Sequence, residues 1–262
     1  MAKPLALITG ASSGIGLELA RQFADHDHDL IVAAENDEIA TAAQELRAHG
    51  SSVEAVRADL STFAGVEELY RTIAGREIEA VAINAGIGVS GRFIETDLDA
   101  ELRLISLNVM STVHLAKRVL TDMAMRGHGR VLFTASVAST MPGPYYAVYA
   151  ASKAFVYSFA EAVRSELTDS GVTVTALLPG PTDTQFFDRE GATDTKGAEA
   201  AEKNDPADVA RQGFEALMAG KDRVFGATSL ATKFQGMISR FMPESIKAAQ
   251  YDAMGQHGTR TK

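Results

Sequence analysis

The sequence predicts an α/β protein built as a doubly wound parallel sheet of about seven strands with helices on both faces. Three observations carry that expectation. Short β-rich runs alternate with longer helical stretches along the chain. Most of those runs are apolar almost without a break, as a strand must be when helices cover both its faces. No repeat, low-complexity tract or Pro/Ser linker interrupts the alternation, so 1–262 reads as a single domain.

The first run, Leu5–Thr9, meets Gly10-Ala11-Ser12-Ser13-Gly14-Ile15-Gly16 and then a helical pattern over 15–26. The glycines permit a tight turn, and free N–H groups at the positive end of the following helix suit a pyrophosphate. Strand Leu30–Ala34 ends beside Glu35, and a helix is expected over 37–49. Strand Val53–Ala58 runs into Asp59 and Leu60, with Ser61 and Thr62 suited to start the helix 63–74. Strand Ala80–Asn84 closes on the turn Asn84-Ala85-Gly86. The longest helical pattern, 98–126, contains Asn108. Strand Arg130–Ala135 delivers Ser136 to its C-terminal end, and the helix 147–169 carries Tyr149 and Lys153. Strand Val172–Leu178 is followed by Pro179-Gly180-Pro181-Thr182-Asp183-Thr184. A helix over 206–219 and a seventh strand near Arg223–Phe225 complete the pattern.

Two segments stand apart. Residues 180–205 are irregular and polar, with Gly191 and Gly197, and are expected to be a variable substrate loop. Residues 227–262 are expected to form an amphipathic C-terminal helical tail, with Phe234, Met237, Ile238, Phe241 and Met242 at helical spacing before Pro243. The tail is basic, and such helices can lie on anionic membranes. A stripe like this more often packs on its own core, lids a pocket or meets another subunit, so membrane association is not expected.

Composition excludes several function classes. The chain has 262 residues, 46% of them hydrophobic, enough for a large core. Its formal net charge of −9 argues against nucleic acid, whose phosphates require clustered Lys and Arg. The absence of Cys removes disulfides, thiolate metal sites and a Cys nucleophile. No apolar run approaches the roughly 18 residues of a transmembrane helix. A cytoplasmic protein is expected. The run Asp25-His26-Asp27-His28-Asp29 has metal-ligating residue types, but it falls at a turn on the edge away from the expected crevice, and no metal is expected.

Tyr149 and Lys153 are four apart and share a helix face. A neighbouring ammonium favours phenolate and brings a tyrosine toward general acid/base service. Ser136, thirteen residues before Tyr149, offers a hydroxyl to a substrate oxygen as charge develops on it. Each residue alone has an ordinary structural reading. Their order behind the glycine loop is what gives them weight, and Ser139 competes with Ser136.

TGASSGIG, Asn84-Ala85-Gly86 and Tyr149-Ala150-Ala151-Ser152-Lys153 together resemble the short-chain dehydrogenase/reductase superfamily from residue 5 to about 185. The resemblance implies a Rossmann-like fold and an NAD(P)-dependent oxidoreductase acting on a small-molecule secondary alcohol, ketone or related carbonyl. It implies that Asp59 contacts the adenine. It implies that Asn108 supports a water relay to Lys153, and that Lys153 also contacts the nicotinamide ribose. Pro179, Gly180, Thr182 and Thr184 would hold the nicotinamide end. It also implies a homodimer or homotetramer joined through helices 98–126 and 147–169. By the family's pattern an NAD-type acid would fall on Ala34 and an NADP-type Arg on Glu35, and neither hallmark is present. Glu35, with no cation evident nearby in the sequence, favours NAD, and Arg57 is the residue placed to reverse that preference. A catalytically silent dinucleotide-binding sensor is the alternative. The glycine spacing disfavours a sugar-nucleotide epimerase or dehydratase.

Overall fold

The computed structural model describes residues 3–183 and 203–226. Its centre is a seven-stranded sheet in the order β3-β2-β1-β4-β5-β6-β7, parallel throughout. The strands are β1 (Leu5–Thr9), β2 (Asp29–Ala34), β3 (Val53–Arg57), β4 (Ile78–Ile83), β5 (Gly129–Thr134), β6 (Val172–Pro179) and β7 (Arg223–Gly226). The helices are α1 (Gly14–Asp25), α2 (Glu38–Arg47), α3 (Phe63–Ile73), α4 (Leu98–Ile105), α5 (Ser111–Arg126), α6 (Ala147–Glu166) and α7 (Pro206–Met218).

Alternation along each strand builds two cores. Leu7, Ile31, Val81, Val131 and Phe133 face one side, against α3, α5 and α6. Ala6, Ile8, Leu30, Val32 and Leu132 face the other, against α1, α2 and α7. The residues named are at most marginally exposed, which explains the nearly continuous apolar runs. The exception is β3. It is an edge strand with Glu54 and Arg57 exposed, so covering helices do not constrain every position.

Chain order places the site. From β1 the chain winds outward to β3, then returns to pair β4 on the other side of β1. The C-terminal ends of β1 and β4 therefore flank a topological switch point, where this architecture leaves a crevice. The expected 98–126 helix is continuous but not uniform: between α4 and α5, Ser106–Met110 form a wide π-type turn that carries Asn108. Such turns are rare and often mark functional sites.

Several expectations fall outside the described residues. Thr184, Phe186, Phe187, most of the 180–205 loop and the 227–262 tail are among them. No helix among the described residues is long and apolar enough to cross a membrane. Among the described residues no three His, Asp or Glu side chains converge as metal ligands. In the Asp25–Asp29 turn, the Nδ1 atoms of His26 and His28 contact the Gln22 and His26 carbonyls, 2.8 Å away in each case.

Candidate active site

A cleft of about 520 Å³ opens at the switch point, a size suited to a small-molecule ligand. Its floor is the glycine loop, from Gly10 through Ser12, Ser13, Gly14 and Ile15 to Gly16. Gly10 adopts φ +68° and Gly14 φ +56°, both in the left-handed region. A Cβ on Gly16 would sit 2.1 Å from the Gly10 carbonyl oxygen, so only glycine lets α1 begin this close to the turn. Ser13 occupies the N-cap of α1 in extended conformation, yet its side chain accepts no capping bond. By contrast, Thr62, Asp97 and Asp205 cap α3, α4 and α7. The start of α1 therefore borders the cleft with no side chain capping its first amides. That is the geometry an anionic pyrophosphate needs, and the loop fits a dinucleotide.

The opposite wall is the turn after β4. Asn84 donates its amide to the Thr9 carbonyl at 3.2 Å and accepts from the Thr134 hydroxyl at 3.0 Å. The Thr9 hydroxyl in turn accepts from the Asn84 and Ala85 N–H groups at 3.0 and 3.1 Å. Asn84 thereby ties β1, β4 and β5 together at the sheet edge. Ala85 and Gly86 line the cleft beyond it.

Behind that wall lies Asn108, only 1% exposed. Its side chain accepts from the Ile87 N–H at 2.9 Å and donates to the Ile87 carbonyl at 2.8 Å and to the Ser152 hydroxyl at 3.0 Å. The amide therefore links the turn after β4 to α6, and it does not itself line the cleft. Lys153 is 5% exposed, and its ammonium donates to the Thr134 carbonyl at 2.9 Å. The same ammonium lies 5.9 Å from the Tyr149 ring centroid. A Cβ on Gly86 would fall 3.1 Å from both Lys153 Nζ and Asn108 Oδ1, so a bare backbone at Gly86 admits both groups to one spot.

Ser136 lines the cleft immediately after β5 and accepts from the Ala138 N–H at 3.1 Å. Ser139, its competitor, does not line the cleft, and its hydroxyl donates to the Ser136 carbonyl. Tyr149 and Lys153 border the same space. So does Tyr146, a residue to which the Tyr149–Lys153 spacing does not point. The signal for it was its position just before the helix that presents Tyr149. Its neighbour Tyr145 has φ +65°, and its carbonyl accepts from the Gly91 N–H at 2.8 Å, which holds this turn against the cleft rim.

Pro179, Gly180 and Thr182 line the far end. Asn204 holds this stretch to the chain that returns at 203. Its N–H and its side-chain amide both reach the Pro181 carbonyl, at 2.8 and 2.7 Å, and its own carbonyl accepts from the Asp183 N–H at 2.9 Å.

The other end of the cleft holds Glu35, Asp59 and Leu60. Here the structure corrects the sequence reading, which found no cation near Glu35. Arg103, on α4, lines the cleft and pairs with the Glu35 carboxylate through Nη2. Its Nη1 lies 3.3 Å from Asp59 Oδ2. The Asp59 carboxyl is held below its ordinary value. Partial burial alone would raise it, but the Ser61 hydroxyl and N–H, together with Arg103, outweigh burial. Arg57, the cation the sequence did single out, is not in the cleft wall. Its Nε donates to the Glu35 carbonyl at 3.1 Å and its Nη1 pairs with Asp37 at 2.8 Å.

Known proteins resemble this chain in sequence and in fold. The family model described as short chain dehydrogenase matches residues 4–195. Oxidoreductase UcpA of Salmonella typhimurium is 35% identical over 178 residues, 67% of this chain and 68% of that protein. The 1-deoxy-11-beta-hydroxypentalenate dehydrogenase of Streptomyces exfoliatus is 34% identical over 226 residues, 84% of this chain and 81% of that one. A solved short-chain dehydrogenase from Sphingobium yanoikuyae in complex with NADPH superposes with a TM-score of 0.81 at 27% identity, covering 99% of this chain and 98% of its own. The chain therefore belongs to the short-chain dehydrogenase/reductase superfamily, and it is an oxidoreductase that moves hydride between a nicotinamide cofactor and a small-molecule substrate.

Proposed function

We propose that this chain interconverts a secondary alcohol and a ketone, or a related carbonyl, with Tyr149 as the general acid/base. The observation that carries the reading is the meeting of Ser136, Tyr149 and Lys153 in one cleft beside the uncapped start of α1. The bound nicotinamide supplies or accepts the hydride. Ser136 donates to the substrate oxygen and stabilises the charge that develops there. Tyr149 gives that oxygen a proton in reduction and takes one in oxidation. Lys153, buried and positive, stabilises negative charge on the phenol oxygen and offers donors to the cofactor ribose. Asn108 holds the turn at Ile87 against α6 and so keeps Lys153 in register. Gly10, Ser12, Ser13, Gly14, Ile15 and Gly16 take the pyrophosphate. Asp59 and Leu60 take the adenine, and Asn84, Ala85 and Gly86 border its ribose. Pro179, Gly180, Thr182 and Thr184 take the nicotinamide end.

Glu35 at the end of β2 makes NADH the tighter ligand, since a carboxylate there accepts from the ribose 2′-OH and repels a 2′-phosphate. The 180–205 loop and the 227–262 tail complete the substrate pocket. The protein works as a homodimer or homotetramer. Exposed Leu98, Leu102, Met110 and Phe155, with the apolar groove between Phe93, Ile105 and Val148, support α4, α5 and α6 as the contact. A cytoplasmic setting is part of the reading and suits a chain without cysteine.

The test pairs binding with turnover. NADH and NADPH are titrated by cofactor fluorescence, and a panel of secondary alcohols and ketones is then turned over by wild type and Tyr149→Phe. Tyr149→Phe is expected to lose about 10²- to 10⁴-fold in rate and to bind NADH within about 2-fold of wild type. An unchanged rate would remove Tyr149 from the chemistry. Tight cofactor binding with no turnover of any substrate would favour the dinucleotide sensor.

A further inference from the structure

The corner where β2 and β3 end holds more charge than one specificity acid requires. Glu35 and Asp59 are two carboxylates on neighbouring strands, and Arg103 bridges them from α4 across the cleft. The three side chains are each between a third and a half exposed, so the bridge is weakly held and the guanidinium can change partners. A guanidinium carries five N–H donors in a fixed fork whose geometry matches a phosphate bidentately. Arg57 is less suited. It stands outside the cleft wall with Asp37, and its Nε is on the backbone of Glu35.

We propose that Arg103 is a specificity-determining residue for the cofactor: its guanidinium moves from Glu35 and Asp59 to the 2′-phosphate of NADPH, so that NADPH is accepted despite Glu35. The inference rests on the reading above that the adenine ribose lies beside Glu35. In this corner Glu35 sets the preference for NADH and Arg103 limits its size. With NADH the guanidinium keeps its carboxylate partners, so its removal affects the two cofactors unequally.

Dissociation constants for NADH and NADPH, measured by fluorescence on the full chain, test this without any substrate. Arg103→Ala is expected to weaken NADPH at least 10-fold while NADH stays within about 3-fold, widening the ratio by about 3-fold or more. Arg103→Lys keeps a cation without the fork and should fall between. Glu35→Gln should tighten NADPH. Adenosine 2′,5′-bisphosphate and 5′-AMP, which differ only by the 2′-phosphate, should reproduce the split. Thermal melts of each variant guard against misfolding. Equal weakening of both cofactors by Arg103→Ala would overturn the proposal and leave Arg103 as support for the adenine. So would no change in either, which would leave it a surface ion pair. Failure of the wild type to bind either cofactor would instead overturn the cofactor reading itself.

Discussion

Asp59 shows how much one side chain can organise. Its carboxylate accepts from the Ser61 hydroxyl and N–H, at 2.7 and 2.9 Å, while its backbone carbonyl accepts from the Thr62 hydroxyl at 2.9 Å. These bonds set the turn from which α3 starts, and Arg103 adds its charge from across the cleft. The carboxyl titrates below its ordinary value, so the folded state binds its proton less readily than the unfolded chain. The resulting stability is present above the unfolded value of about 3.9 and fades as pH falls through the folded one. Asp59→Asn is therefore expected to cost about 0.5–1 kcal/mol at pH 7, a figure discounted for the side chain's exposure. Urea melts should show the gap shrinking below about pH 4. A gap of constant size down to pH 3.5 would assign the loss to hydrogen-bond geometry and not to charge. At this scale the sequence was legible where contacts are local. Gly10 to Gly16 lie within seven residues, and their spacing carries the turn. Arg103 was illegible because its partners, Glu35 and Asp59, lie 68 and 44 residues away, and only the return of α4 over the sheet edge joins them.

At the scale of elements, the wide turn Ser106–Met110 is the clearest departure from a regular pattern. A uniform helix over 98–126 was expected, and its hydrophobic periodicity gives no hint of the extra residue in one turn. The turn carries Asn108, whose side chain satisfies both polar groups of Ile87. Those groups stand on an irregular stretch after β4, where no strand or helix partner meets them. Asn108→Ala leaves these part-buried groups without their protein partner, an expected loss of about 2–4 kcal/mol. For a chain of this size that lowers the melting temperature by roughly 5–12 °C. Activity should fall further than stability explains, because the turn beside Gly86 and Lys153 is freed. Asn108→Asp has the same shape but turns a second oxygen toward the Ile87 carbonyl, and it should be no better than alanine. Aspartate as stable as wild type, by scanning calorimetry, would show that the amide donor bonds contribute little. The other elements were legible to within a few residues because each helix has one buried face and nearly every strand has two.

Across the whole molecule, the strand order places the glycine loop, the Asn84 turn and the Ser136, Tyr149 and Lys153 group along one edge of the sheet. The same winding leaves exposed apolar side chains on α4, α5 and α6, among them Leu98, Leu102, Val113, Met125 and Phe155. Along α4, Leu98 and Leu102 are exposed while Glu101 is buried, its carboxylate accepting from the Thr96 hydroxyl at 2.9 Å. That inverted pattern makes little sense for a helix that faces only water on one side. A second copy of the chain would cover Leu98, Leu102, Met110 and Phe155, which is why an oligomer is proposed. Light scattering coupled to size exclusion should give two or four times the chain mass at micromolar concentration. Leu102→Asp with Phe155→Asp should give the single-chain mass, because burying carboxylates in an apolar contact costs more than such a contact can offset. Leu102 is half exposed and Phe155 stacks on Phe159 at the margin of the core, so a cooperative melt of the double variant is the control for folding. A wild type that elutes as one chain would remove the oligomer, and a double variant that still assembles would move the contact to another face.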